Sequence, residues 1–424
     1  MPKLRRSLSL LEVCVYGVGI ILGAGIYALI GEGSLVAGNA LWLSFLIGAV
    51  IAGMSGLSYA ELGSMFPKEA AEYIYSKKAF RNNIIPFIIG WTTIFTGIIA
   101  ASTVAIGFGG YFSALTGLNP LISAICLVLL LSFINFYGIE ESAKINLVFT
   151  AIELLGLLLI IILGAEFLGS VDYFYSPTGM TGIFSAATLV FFSFLGFEDI
   201  VNVSEETENP KKVIPKALMI SLAVTTIIYI LVAMATVSIL PWNVIGASSA
   251  PLADVAESAM PGSSTLLSIV AIFATANTVL IQLIVCSRMI YGMSKEKSSL
   301  PKFLSTIHKK RKTPWIAALV CMVFSIALIF LGDIKIVAEV TNFGSFMIFL
   351  SVNMSVILLR YKEPKIKRVF KVPLNIGKFP ILPFVSMLFT IYMFTFFGID
   401  IIAFGLFMLF VGFVTYLMLN RSID

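Results

Sequence analysis

The chain has 424 residues, of which 59% are hydrophobic and only 12% charged, against about 25% charged in soluble proteins. With a mean hydropathy of +1.01, these values exclude a soluble domain and indicate a polytopic membrane protein. Its net charge of +5 would suggest acidic partners in a soluble domain, but in a bilayer the location of the charges outweighs their sum, and no nucleic-acid partner is expected.

The chain opens on a basic stretch, Met1 to Arg6, followed by an apolar run that reaches about Val36. A signal peptide would have a shorter apolar core and a small-residue cleavage site, so the run is read as a membrane span. Within it, Gly17, Gly19, Gly23 and Gly25 place four glycines in nine residues. Each weakens a helix by roughly 1 kcal/mol relative to alanine, so the helix is expected to break there. A break at membrane depth leaves N–H and C=O groups unpaired, and must therefore face protein or a water-filled cavity. A dinucleotide fingerprint is excluded, because no strand precedes these glycines and the spacing is Gly-x-Gly-x-x-x-Gly.

Crossing a bilayer takes about 20 residues. Twelve spans are predicted, near 11–36, 40–61, 84–110, 120–137, 145–168, 182–203, 217–240, 264–291, 314–332, 336–359, 380–397 and 401–419. After the second, Phe66 to Lys78 reads as a short helix in the cytoplasmic interface, a passive element in preference to a hinge or gate. With the basic N-terminus in the cytoplasm, 27 of the 28 lysines and arginines fall on that side, Lys335 being the exception. The outer loops 111–119, 169–181 and 241–263 contain none, as the positive-inside rule requires. Both termini are therefore expected in the cytoplasm, with residues 1–424 forming one multi-pass unit in the plasma-membrane bilayer. Cys14, Cys126, Cys286 and Cys321 lie in apolar segments without C-x-x-C spacing and read as small core residues. The one histidine, His308, sits among Lys309 to Lys312 in a loop, which excludes a histidine metal cluster or catalytic triad in the membrane.

A second interrupted segment occurs at Phe191-Phe192-Ser193-Phe194-Leu195-Gly196-Phe197-Glu198-Asp199. Two interrupted spans, each opening one half of a hydrophobic chain, point to a secondary transporter built from inverted repeats. The motifs Gly23-Ala24-Gly25-Ile26-Tyr27, Tyr59 to Pro67, Phe192 to Glu198 and Glu205 to Pro210 resemble those of the amino acid–polyamine–organocation (APC) transporter superfamily, in the same order. That resemblance implies an all-α, twelve-helix fold with a LeuT-type 5+5 inverted repeat. Repeat one would cover about 11–168 and repeat two about 182–359, with two C-terminal helices at about 380–419.

Free N–H groups at the start of a half-helix form an anion site. Gly23, Ala24 and Gly25 would let a substrate carboxylate approach closely, the role that the resemblance assigns them. Gly25→Leu is accordingly expected to fill the site without disturbing helix packing. The resemblance also assigns the ammonium to carbonyls of Ile21, Phe192 and Leu195, with Phe194 as an aromatic lid. Small-residue helix packing is the competing use of the glycines.

Intramembrane acids are costly and usually functional. Glu153 has no visible partner in its own segment and stands where some proton-coupled relatives carry a lysine. Glu198 matches an acid implicated in coupling or gating, or else hydrogen-bonds the broken backbone. Thr275, Asn277 and Thr278 could offer oxygens to a proton or sodium site near the first break, or serve as polar contacts between helices. Arg288 would pair with an acid or snorkel. Cationic carriers of similar sequence often hold an acid a few residues after a Gly-Trp pair; here Gly90-Trp91 is followed by Thr96, which favours neutral substrates.

The chain therefore reads as a secondary active transporter of neutral amino acids by alternating access, coupled to protons. The alternatives are a sodium-coupled symporter and an exchanger of cationic amino acids or polyamines. No enzyme is indicated, since no nucleophile with its base, metal cluster or catalytic acid pair is apparent. No cofactor is implied.

Overall fold

The computed structural model describes residues 8–67, 71–137, 139–204, 207–295, 300–311, 313–330 and 334–421. Met1 to Arg6, Lys68, Glu205 and Glu206 lie outside them. The helices of the first half are α1 (Leu10–Leu22), α2 (Ala24–Ala37), α3 (Leu41–Met65), α4 (Ala71–Ala79), α5 (Ile84–Thr116), α6 (Pro120–Tyr137) and α7 (Ile139–Gly164). Those of the second half are α8 (Gly179–Val190), α9 (Pro210–Ile239), α10 (Trp242–Ala247), α11 (Pro251–Ala259), α12 (Ser264–Lys295), α13 (Trp315–Ile329) and α14 (Ile334–Lys362), followed by α15 (Ile381–Met393) and α16 (Ile399–Arg421).

Among the described residues, nine stretches are long and apolar enough to cross a membrane. The first, Leu10–Met65, runs for 56 residues through α1, α2 and α3. It holds two of the predicted spans, since one crossing needs about 20 residues. α13 and the segment from Ile381 to Phe396 are apolar but shorter. A helix, whole or broken, stands at each of the twelve predicted positions.

Both interrupted segments are broken where expected. α1 starts in a capping box, Ser9 N–H donating to Glu12 Oε2 at 2.7 Å and Glu12 N–H to Ser9 Oγ at 3.4 Å, which satisfies its first donors. It stops at Gly23, whose ψ of −165° leaves the helical region before α2 begins. In the second half α8 ends at Val190, and the predicted span 182–203 continues as two 3₁₀ segments, Phe191–Phe194 and Phe197–Val203. Between them Gly196 has φ +108°, a conformation that a side chain would strain.

α5 lies along α12 and α14, α3 along α9, and α1 against α9 and α7. The buried faces of α3, α9 and α14 meet the 3₁₀ segment of the second break in an aromatic cluster of Phe45, Tyr229, Phe346 and Phe349 with Phe191 and Phe194. α4 differs from the passive interfacial helix predicted for it. Its Glu72, Tyr75 and Ser76 are buried, Glu72 Oε1 accepts from Tyr59 OH at 3.2 Å, and Ser76 Oγ lies 3.0 Å from Ser351 Oγ on α14. At the end of α3, the buried Glu61 carboxylate is clasped by Arg360, Arg368 and the backbone N–H of Val372. Cys126 is exposed on α6, so only Cys14, Cys286 and Cys321 are core cysteines as predicted.

Candidate substrate and coupling site

The two breaks cross in contact. A Cβ added to Gly25 would lie 2.5 Å from Ser193 Cα, and one added to Gly196 would lie 2.4 Å from a methyl of Ile20. Each glycine therefore serves the close approach of the other broken segment, and the expectation that Gly25→Leu would spare packing is corrected. From α12, Thr278 Oγ1 accepts the Ala24 N–H at 2.9 Å and lies 2.3 Å from a Cβ position on Gly23. One of the donors expected to be free for a carboxylate is thus held by a neighbouring hydroxyl.

From α9, the Tyr229 hydroxyl donates to the carbonyls of Ile21 at 2.5 Å and Ser193 at 2.8 Å. One proton shared between two carbonyls leaves acceptor capacity on both. The Phe192 carbonyl accepts from Leu195 N–H at 3.2 Å. Around this crossing lies a cavity lined by Ile20, Ile21, Gly23 to Gly25, Ala100, Phe192, Ser193, Leu195, Thr278, Ile281 and Gln282. Ser193 is 2% exposed and its Oγ has no partner among the described residues. Phe194 is not on this wall. It is buried among Phe45, Phe191 and Tyr229, and the aromatic ring at the cavity is that of Phe192.

Glu153 gains a partner from the other half of the chain. Asn277 Nδ2 donates to its Oε1 at 3.1 Å, and Asn146 Nδ2 donates in turn to Asn277 Oδ1 at 3.0 Å. Glu153 Oε2 has no partner among the described residues, and the Tyr27 hydroxyl donates to the Glu153 carbonyl at 3.0 Å. Thr275 donates to the carbonyls of Ala271 and Ile272 in its own helix. Of the three α12 residues proposed near the first break, Thr278 lies at it and Asn277 is turned to Glu153.

Glu198 Oε2 accepts the N–H of Gly196 at 3.0 Å, so it does hydrogen-bond the broken backbone. It also faces a second cavity with Tyr59, Glu72, Thr93, Thr96, Gly97, Asp199, Thr341 and Ser345, which shares Ala100, Leu195 and Gln282 with the first. Burial pushes the Glu72 carboxyl above the usual range, opposed by hydrogen bonds from its own backbone and from Tyr59. Arg288 makes no ion pair with a described residue. Ser193, Tyr229, Gln282, Glu72 and Asn146 were not singled out in the sequence. Only Ser193 carried a local signal there, through its place inside an interrupted segment.

A family model described as amino acid permease matches residues 8–420. The branched-chain amino acid permease BcaP of Bacillus subtilis (strain 168) is 31% identical, over 99% of this chain and 94% of its own. The methylthioribose transporter of the same organism is also 31% identical, over 91% of this chain and 87% of its own. The vacuolar cationic amino acid transporter 4 of Arabidopsis thaliana is 28% identical, over 85% of this chain and 64% of its own.

Proposed function

The chain belongs to the amino acid permease family, and on that premise we propose that it is a proton-coupled secondary transporter of neutral, aliphatic amino acids across the plasma membrane. It works by alternating access with both termini cytoplasmic, and its twelve helix positions form a 5+5 inverted repeat with two further helices. The observation that carries this reading is the pair of crossed helix breaks around a cavity that holds the unpartnered hydroxyl of Ser193. A buried hydroxyl without a partner costs free energy that a ligand recovers. At the crossing, Ser193 Oγ and the N–H donors of Gly23 and Gly25 receive the carboxylate. The carbonyl of Ile21, which shares one hydroxyl proton with that of Ser193, receives the ammonium with the carbonyls of Phe192 and Leu195.

The side chain meets Ile20, Ala100, Phe192, Leu195 and Ile281, an apolar wall suited to a branched aliphatic group, as carried by the substrate in the name of the Bacillus relative. Glu153 serves as the proton carrier, since its Oε2 is free of protein partners and its carboxyl makes no ion pair among the described residues. Sodium is less well supplied: Thr278 Oγ1 already accepts the Ala24 N–H and Asn277 Oδ1 already accepts from Asn146.

Proteoliposomes loaded at alkaline internal pH test the proposal. Labelled leucine should accumulate when the outside is acidified and should only equilibrate without the pH gradient. Accumulation that follows a sodium gradient and ignores pH would overturn proton coupling and make Glu153 part of a cation site.

A further inference from the structure

A third cavity, of about 230 Å³, lies where the end of α13 meets the beginnings of α14 and α16 against the middle of α5. Its deep wall is made by Ile99, Val337, Val340 and Ile401, each at most 3% exposed, while Ile336 and Phe404 at its mouth are 44% and 38% exposed. The cavity is closed toward the bundle and opens sideways, onto the face that a bilayer covers. Water finds too few polar partners to fill a space so lined. A hydrocarbon chain needs none. From the ends of α14 and α16 the cavity reaches Ile99, at mid-length of α5, which is the course of a lipid tail from headgroup level toward the bilayer centre.

Charge of both signs stands at this end of the helices. Asp400, in the first turn of α16, is the one charged residue that lines the cavity, and its carboxylate makes no hydrogen bond or ion pair with a described residue. Lys335 in the first turn of α14 is the neighbour of Ile336 at the mouth, and is the one base expected on this side of the membrane. An acid beside hydrocarbon is costly, and a cation that meets it lowers that cost. An ethanolamine headgroup carries an ammonium and a phosphate one short linker apart, which matches an acid and a base on adjacent helix ends. A choline headgroup offers no N–H to the carboxylate, and a headgroup with only negative charge is repelled by it.

We infer that this cavity is a binding site for phosphatidylethanolamine, which places one acyl chain between α5, α14 and α16, its ammonium on Asp400 and its phosphate toward Lys335. The site stands apart from the crossing but backs onto its wall. Ile99 precedes Ala100 on α5, and Val340 precedes Thr341 on α14, so a bound chain supports the reverse side of residues that face the two inner cavities.

Native mass spectrometry of the full-length protein in detergent, titrated with phosphatidylethanolamine, phosphatidylcholine or phosphatidylglycerol of identical acyl chains, tests the site. The first phosphatidylethanolamine should bind about tenfold more tightly than either of the others. Asp400→Asn should remove most of that preference without weakening phosphatidylcholine, because only the headgroup contact is lost. Val340→Phe, which fills the cavity, should weaken the first phosphatidylethanolamine and phosphatidylcholine alike by about tenfold; Leu328→Phe closes the same space from α13 should that variant not fold. Equal binding of the three lipids by the wild type, or tighter binding of phosphatidylglycerol, would overturn the inference. So would a preference that survives in Asp400→Asn, or binding unchanged in a folded cavity-filling variant.

Discussion

Two buried carboxylates, Glu61 and Glu153, are each at most 1% exposed, and the protein treats them in opposite ways. Glu61 accepts from Arg360 Nε at 2.8 Å and Nη2 at 2.5 Å, from Arg368 Nε at 3.2 Å and from Val372 N–H at 2.8 Å. Glu153 accepts one amide N–H and keeps an oxygen without a partner among the described residues. A buried charge that is fully paired fixes geometry, whereas one left half-satisfied favours gaining a proton or a ligand. The first joins the end of α3 to α14 and the loop beyond it; the second sits where α7 meets α12.

The sharpest way to break this comparison is to remove the paired carboxylate. Glu61→Ala leaves two guanidinium groups buried without their counter-ion and should cost about 3–5 kcal/mol, read as loss of monodisperse protein in detergent. A variant as heat-stable as the wild type would show that the clasp is not structural. Glu153→Gln should instead leave a folded protein that binds and exchanges leucine, since the amide mimics the protonated carboxyl in shape, while accumulation driven by a pH gradient disappears. Glu198→Gln is the control: if it loses accumulation while Glu153→Gln keeps it, the coupling role passes to Glu198.

A smaller effect is expected at Ser193, the other under-satisfied group. Ser193→Ala removes a buried hydroxyl that has no partner, so thermal stability should not fall, while leucine affinity should drop about tenfold, or ~1.4 kcal/mol. Loss of stability without loss of affinity would make the hydroxyl structural. The smallest effect concerns Glu72. Burial raises its carboxyl in the folded protein above the unfolded value of about 4.3, so the unfolded chain releases that proton first. Its contribution to stability is present at low pH and is lost as pH rises through the folded value. Melting temperatures measured from pH 5 to pH 8 should therefore decline less steeply in Glu72→Gln than in the wild type.

The breaks were legible in the sequence because glycine acts locally: Gly23 and Gly196 interrupt their helices by weakening or straining the backbone wherever they sit. The aromatic lid was assigned to Phe194, but Phe192 lines the cavity. The 3₁₀ geometry of Phe191–Phe194 replaces the 100° step of a helix, so which ring turns inward could not be read from helical spacing. α4 looked interfacial from its tyrosines and lysines, and only packing against α3 and α14 buries Glu72.

What the sequence determined by itself was the location of the helices, the two interruptions and the asymmetry of basic loops, all properties of short windows of chain. The partners of the acids were decided by tertiary structure. Asn277 reaches Glu153 across 124 residues, Arg360 reaches Glu61 across 299, and Glu72 shares a cavity with Glu198 and Asp199. The physical reason is that a carboxylate's fate depends on the donors and charges within hydrogen-bond reach, and in a folded bundle most of these come from elsewhere in the chain.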